Sequence, residues 1–373
     1  MKRSNLIPGV SVLAMAIALT TPALAEMTVN IGGRIQVDGT VYDDDNVDMG
    51  DGTEFRRVRL FAEGDIDDNW QYKSQIDFAG NDTVLKDMYV RYSGWGFGKL
   101  TIGQFKQEQG LEVLTSSKYM TFIERAMISS FVPDRRIGLG LHGDAGTFHW
   151  AASVFGQEES SSEGKDEGTG ANARLAWTPT FGDDAFIHMG ASYSWQEAED
   201  QDDEWRIRAR PESHQTSVRL VDTGTLTEVN NIQTVGVEGA AVFGPFSVQG
   251  EWMQQTVDLD SPGANDPDFS GWYAYASWFI TGESRAYKGG KFGRTKATNA
   301  WEIAARYSNM DLQDGDFNGG EIDNYTIGVN YYVNPYLRFM ANYIMSEASD
   351  SPANGGFDEE PNAFVVRAAM DFK

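Results

Sequence analysis

From residue 26 onward the chain alternates apolar and polar positions with a period of two, and no long stretch carries a helical period. The segment 28–40 sets Gly33, Ile35 and Val37 against Arg34, Gln36 and Asp38. The next, 55–65, sets Val58, Leu60 and Ala62 against Arg57, Arg59 and Glu63. A third, 69–78, sets Trp70, Tyr72, Ile76 and Phe78 against Gln71, Lys73, Gln75 and Asp77. Further segments of this kind run over 84–92, 98–105, 136–144, 147–156, 170–178, 185–195, 232–243, 246–257, 270–280, 299–309, 322–333, 336–346 and 363–372, which predicts sixteen strands. A water-soluble sandwich also wets one face and buries the other, so alternation alone does not decide the class.

The connectors decide more. Short ones containing Asp67-Asp68, Gly94-Trp95-Gly96, Asp144-Ala145-Gly146, Gly244-Pro245 and Asn334-Pro335 mostly alternate with long polar ones at 41–54, 157–169, 196–231, 258–269, 310–321 and 347–362. Short turns at one rim and long loops at the other are the arrangement of an outer-membrane barrel, as is an even strand count. Aromatic residues gather near strand ends (Trp95, Phe97, Trp150, Trp177, Trp195, Trp252, Trp272, Trp278, Tyr331 and Tyr332), where membrane interfaces favour them. The last segment sets Phe364, Val366, Ala368, Met370 and Phe372 on one face and Arg367 and Asp371 on the other. The expected fold is therefore all-β: a transmembrane antiparallel β-barrel of about sixteen strands over 26–373, wide enough for a water channel. One connector breaks the rule. Residues 281–298 fall where a short turn is due and carry Arg285, Lys288, Lys291, Arg294 and Lys296 against Glu283. They read either as a solvated turn or as a positive collar at the inner mouth.

Composition supports export. Lys2 and Arg3, an apolar run from Leu6 to Leu19, and Ala23-Leu24-Ala25 predict a signal peptide over 1–25. Its removal leaves 28 basic against 55 acidic residues, a formal charge of −27 where the full chain has −25. The absence of cysteine excludes disulfides and thiolate metal sites and suits an oxidising periplasm. Beyond residue 25 nothing approaches the roughly 20 apolar residues of a spanning helix.

Within this acidic chain the cations are segregated. Acidic runs such as Asp43-Asp44-Asp45, Glu158-Glu159, Asp202-Asp203-Glu204 and Glu359-Glu360 sit in the expected outer loops, where solubility or divalent ions bridging to lipopolysaccharide explain them. Arginines 34, 57, 59, 91, 174, 306 and 367 fall on lumen-phase strand positions instead. In Arg206-Ile207-Arg208-Ala209-Arg210, extended backbone lines three guanidinium groups up roughly 6.5 Å apart. Their mutual repulsion is about 0.6 kcal/mol per pair in water, so folding does not favour the row, and it suggests a track for an anion. The loop 104–136 pairs an apolar middle (Met120, Phe122, Ile123, Met127 and Ile128) with Lys106, Ser116, Ser117, Lys118, Arg125, Arg135 and Arg136. A loop this long must pack somewhere. Folding into the barrel buries its apolar side and brings hydroxyls and cations to a constriction, whereas packing at the rim leaves the bore open.

Phe55-Arg56-Arg57-Val58-Arg59-Leu60, Tyr72-Lys73-Ser74-Gln75-Ile76-Asp77-Phe78-Ala79, Leu114-Thr115-Ser116-Ser117-Lys118-Tyr119-Met120-Thr121-Phe122-Ile123-Glu124-Arg125 and Thr281-Gly282-Glu283-Ser284-Arg285 together resemble the phosphate-selective porin O/P family. The resemblance implies a homotrimer of sixteen-stranded barrels in the outer membrane, each with an arginine ladder leading phosphate or related anions, polyphosphate included, to a constriction. It places Arg34, Arg56, Arg57, Arg206, Arg208 and Arg210 on the ladder, which Arg59 joins from its strand phase. Ser116, Ser117, Lys118 and Arg125 match the constriction, and Asp87 matches the acidic residue set near the cations. The family implies no cofactor, metal or nucleic-acid partner.

Two other functions compete. A barrel enzyme needs a polar catalytic set, usually with histidine, but His142, His149, His188 and His214 form no metal-type or Ser/His/Asp grouping in the sequence. A general porin, or one for carbohydrates or organic solutes, would use an aromatic track, and Tyr119 and Phe122 leave that alternative open.

Overall fold

The computed structural model describes residues 27–156, 168–182, 185–198, 203–260 and 265–373. The expected signal peptide, Glu158-Glu159, Asp200 and Asp202 lie outside the described residues. Sixteen strands form the wall: β1 (Asn30–Asp43), β2 (Gly52–Asp65), β3 (Trp70–Asp77), β4 (Val84–Tyr92), β5 (Lys99–Lys106), β6 (Arg135–Ala145), β7 (Phe148–Phe155), β8 (Gly170–Trp177), β9 (Ala185–Glu197), β10 (Val229–Phe243), β11 (Phe246–Leu259), β12 (Asp268–Phe279), β13 (Ala300–Asp314), β14 (Phe317–Asn334), β15 (Leu337–Ser351) and β16 (Asn362–Phe372). Each is antiparallel to its sequence neighbours, and β16 returns to β1 in register from Gly33↔Phe372 to Asp43↔Asn362. Closure removes every sheet edge, so the wall strands pair all around the ring.

The period of two becomes inside and outside. On β16, Phe364, Val366, Met370 and Phe372 face out, while Ala363, Val365 and Arg367 are buried on the lumen side. Interfacial aromatics stack in pairs, Trp301 on Tyr331 at 4.6 Å and Phe246 on Trp278 at 5.6 Å between ring centres. Tyr332 departs from the expected girdle. Alternation turns it inward, and its hydroxyl donates to Glu302 at 2.7 Å.

Several expected long loops are strand. β13 and β14 pair as far as Asp314↔Phe317, leaving only Gly315 and Asp316 as a turn, and β15 continues to Ser351. The outward residues there, such as Asp311, Gln313 and Glu321, are polar, while inward Met310, Leu312 and Ile322 stay buried against the infolded loops and the backbone ladder continues. The acidic and glycine-rich composition reads as loop although the alternation persists through Leu312.

The lumen holds the hydrophobic core. The segment 107–134 between β5 and β6 folds inside, as does 203–228 between β9 and β10, and the 280–299 connector enters from the short-turn end. Phe122, Ile123, Met127, Ile128 and Phe131 of the first segment pack with Ile207, Leu220, Val221 and Leu226 of the second. They lie against inward residues of β11–β15, among them Met253, Tyr273, Tyr275, Met310, Ile322 and Ile344. Each such side chain contributes about 1.5–3 kcal/mol on burial, which fixes the loops to that part of the wall. Gly271 and Gly328 make room: a Cβ there would lie 2.7 Å from Ile128 and 3.3 Å from Phe122. The connector forms a small hairpin, Tyr287–Lys288 with Lys291–Phe292, closed by Gly289 and Gly290 at φ of 59° and 75°. Phe292 is buried against Leu111, Phe186 and Val242.

Candidate functional site

The infolded segments fill one side of the lumen and leave a cavity of about 780 Å³ against β1–β7. Among the described residues, fourteen lysine and arginine side chains line it, against four carboxylates. Arg34 of β1 points into it and donates from Nη1 to Ser117 Oγ at 2.5 Å and to Ser116 Oγ at 3.4 Å. Lys118 stands 3.8 Å from Asp371 and over the Phe61 and Tyr119 rings at 5.7 and 5.4 Å. Burial, with the nearby Arg34 charge adding to it, brings the Lys118 ammonium down to a pKa of about 8. Thus Arg34, Ser116, Ser117 and Lys118 converge on one wall of the cavity.

The remaining cations differ in commitment. Arg59 is bonded to Asp77 at 2.6 Å. Asp87 accepts from Arg135 at 2.8 Å, and Arg135 also reaches Asp134 at 3.1 Å. Burial pushes the Asp134 carboxyl up, but Arg135 and Lys106 outweigh it and hold it well below the usual range. Arg125 borders the cavity while donating to the carbonyls of Glu112 and Thr115, both at 2.9 Å, so it ties the infolded loop to itself.

Arg56 and Arg57 are consecutive yet both reach the lumen, which a regular strand forbids. The β1–β2 register slips there, from Gln36↔Arg57 to Val37↔Phe55, so Arg56 occupies a β-bulge. Arg56 grips Glu124 at 2.9 and 3.0 Å, Arg57 approaches the same carboxylate at 3.4 Å, and Arg367 bonds it at 2.7 Å.

Toward the long-loop end a second cavity, of about 220 Å³, is bordered by Arg56, Arg125, Arg208, Arg210, Arg219 and His214. Ile207 and Ala209 are buried in the loop core, which turns the alternate residues Arg206, Arg208 and Arg210 away from it. Arg208 has no ion-pair partner among the described residues, and Arg210 donates to the Thr216 carbonyl at 2.7 Å. Arg206 is bidentate to Asp222 at 2.7 and 2.6 Å, largely exposed, and borders neither cavity. Burial, then the Arg210 and Arg208 charges, lowers the Arg219 guanidinium to about 10.

Sequence reasoning missed Lys73 and Lys86 on the cavity wall; the strand phase of Lys73 was a usable signal, whereas Lys86 is out of phase with Asp87 and lies where the β3–β4 register slips, between Ser74↔Met88 and Ile76↔Leu85. It also missed Arg219, which sits beyond the conspicuous row, and Glu124, whose partners Arg56, Arg57 and Arg367 come from two strands, β2 and β16, far from it in the chain.

A closed sixteen-strand wall, loops folded into its bore and a polar, cation-lined cavity left open beside them define an outer-membrane porin. The chain belongs to the phosphate-selective porin O and P family, whose profile matches residues 29–372. It is 27% identical to Porin O of Pseudomonas aeruginosa, over 93% of this chain and 89% of that protein. It is 30% identical to an uncharacterized protein of Caulobacter vibrioides, over 91% of this chain and 73% of that one. Among solved structures its fold is similar to the anion-selective porin from Comamonas acidovorans, with a TM-score of 0.59 at 13% identity, covering 93% of this chain and 100% of that chain. OmpT of Vibrio cholerae in a trimer form gives 0.56 at 14% identity, over 93% and 100%. Fold and family thus point to a channel rather than an enzyme.

Proposed function

We propose that the porin is a passive, anion-selective channel with a binding site for phosphate, and for polyphosphate by the same contacts. The cavity lining carries the reading: fourteen cationic side chains against four carboxylates, in a chain whose net charge is −25. Selectivity follows the sign of the field where the path is narrow rather than the sum over the molecule. An anion enters past Arg208, Arg210 and Arg219, passes Arg56 and Arg125, and reaches Arg34, Lys118 and the Ser116 and Ser117 hydroxyls. Each guanidinium replaces part of its hydration shell by forked hydrogen bonds. Arg57 and Arg59 add field while held by carboxylates, and Asp87 keeps Arg135 in place. Arg206 acts at most as an outer attractor. No cofactor or energy source enters this scheme.

The same proposal includes export by the N-terminal segment, contact of the outer loops with lipopolysaccharide, and assembly as a homotrimer through apolar faces of the terminal strands and the loop at 79–83. Planar-bilayer recording tests the central claim: the reversal potential in a salt gradient should show anion preference, and phosphate should block chloride current. Cation preference, or absence of block, would instead mark a general or organic-solute porin.

A further inference from the structure

Among the described residues, Arg56 and Arg125 alone border both lumen cavities, so the neck between them lies at these two side chains. Arg125 is occupied by two backbone carbonyls of its own loop. Arg56 is different. Its forked donors, Nε and Nη2, are closed on the two oxygens of Glu124 at 2.9 and 3.0 Å, and Glu124 is its only hydrogen-bond partner among the described residues. The other two guanidinium groups on that carboxylate have further partners. Arg367 is bidentate to Asp38, with both contacts at 2.6 Å, and Arg57 donates to Gln36 at 2.9 Å.

A carboxylate presents two oxygens to a guanidinium fork much as a phosphate does. A permeation site must also bind weakly enough to release its ion. Three guanidinium groups facing one empty place would trap an oxyanion, whereas here a loop carboxylate already fills that place. We infer that Glu124 is a tethered anion: a passing oxyanion exchanges with it on Arg56 at the neck, so that Glu124 sets how tightly the channel holds its anion and how fast it lets go. This rests on the anion-passage reading above. Arg57 and Arg367 keep Gln36 and Asp38 when the carboxylate swings away, so the exchange leaves Arg56 alone to be satisfied by the incoming anion.

The test is Glu124→Gln, which keeps length and one acceptor but removes the charge. In planar bilayers the phosphate concentration that half-blocks chloride current should fall about tenfold, equivalent to about 1.4 kcal/mol, and phosphate flux at saturation should drop. Glu124→Asp should return both values toward wild type. An unchanged or higher half-blocking concentration in a conducting Glu124→Gln channel would make Glu124 a plain loop anchor and overturn the inference. Should that variant fail to assemble, Arg56→Gln takes its place: removing the exchange partner must raise the half-blocking concentration, and no change overturns the inference. Block in the wild type with neither variant altering it sinks the tethered anion alone; absence of wild-type block sinks the anion reading with it.

Discussion

The two sides of the lumen are built from the same kind of strand and do opposite things. Against β11–β15 the inward positions carry Met253, Tyr273, Tyr275, Met310, Ile322 and Ile344, and the infolded loops pack onto them. Charged groups on that side are hydrogen-bonded: Arg306 is bonded to Glu212, Glu251 accepts from the Leu111 and Glu112 amides, both at 2.7 Å, and farther round the wall Arg174 bonds Glu238 at 2.8 Å with His188 on the same carboxylate at 2.9 Å. Against β1–β7 the inward positions carry Arg34, Arg57, Arg59 and Lys73, the loop touches the wall through polar contacts such as Arg34–Ser117 and Arg56–Glu124 around an open cavity, and cations outnumber carboxylates. Desolvating a charge is costly unless it is paired or hydrogen-bonded, so on a packed side every charge has to be satisfied by the protein, and on a water-filled side it need not be. The loop adheres where the wall is apolar, and the path opens where it is not.

Breaking the packed side should have the largest effect. Glu212→Ala removes the closer of the two buried carboxylates beside Arg306, leaving Glu112 at 3.6 Å, and should cost about 3–5 kcal/mol, read as a lowered unfolding midpoint in detergent with new protease sensitivity in the 203–228 loop. Next comes packing. Ile128→Ala should cost about 2–4 kcal/mol and loosen the 107–134 loop, seen as larger and noisier single-channel conductance. On the charged side the same kind of change should spare stability and alter transport. Arg208→Ala with Arg210→Ala should raise the half-blocking phosphate concentration about three- to tenfold, since exposed charges are partly screened, with the unfolding midpoint unmoved. The smallest effect is titration. Lys118 has its pKa lowered to about 8, so it is charged below that pH and neutral above it. Anion preference, measured with chloride so that the ion's own charge stays fixed, should decline from pH 7 to 9. Lys118→Arg should abolish that decline.

These contrasts also separate what could be read from the chain. Period-two alternation located the wall strands because lipid on one side and water or loop on the other impose a rule on every second residue. It placed Arg34, Arg59 and Arg367 inward for the same reason. It could not place Arg56, since a bulge suspends the period, nor foresee that β13 and β14 continue to a two-residue turn at Gly315 and Asp316, because acidic and glycine-rich composition there reads as loop while only the infolded loops bury Met310, Leu312 and Ile322. The loop at 107–134 carried an apolar middle that demanded burial, but the side of the wall it would choose depended on Met253, Tyr273, Met310 and Ile344, contributed by four different strands.

By itself, then, the sequence determined the barrel, its approximate strand count, the inward phase of the strand arginines and the need for one long loop to bury itself, because each follows from local periodicity or composition. Tertiary structure alone decided which side of the bore stays open, that the 280–299 connector joins the loops inside it, that Arg206 pairs with Asp222 apart from the cavities, and that Glu124 closes on Arg56. Those outcomes depend on residues distant in the chain meeting across the lumen, where apolar contact and charge pairing act on distance in space and not on spacing along the backbone.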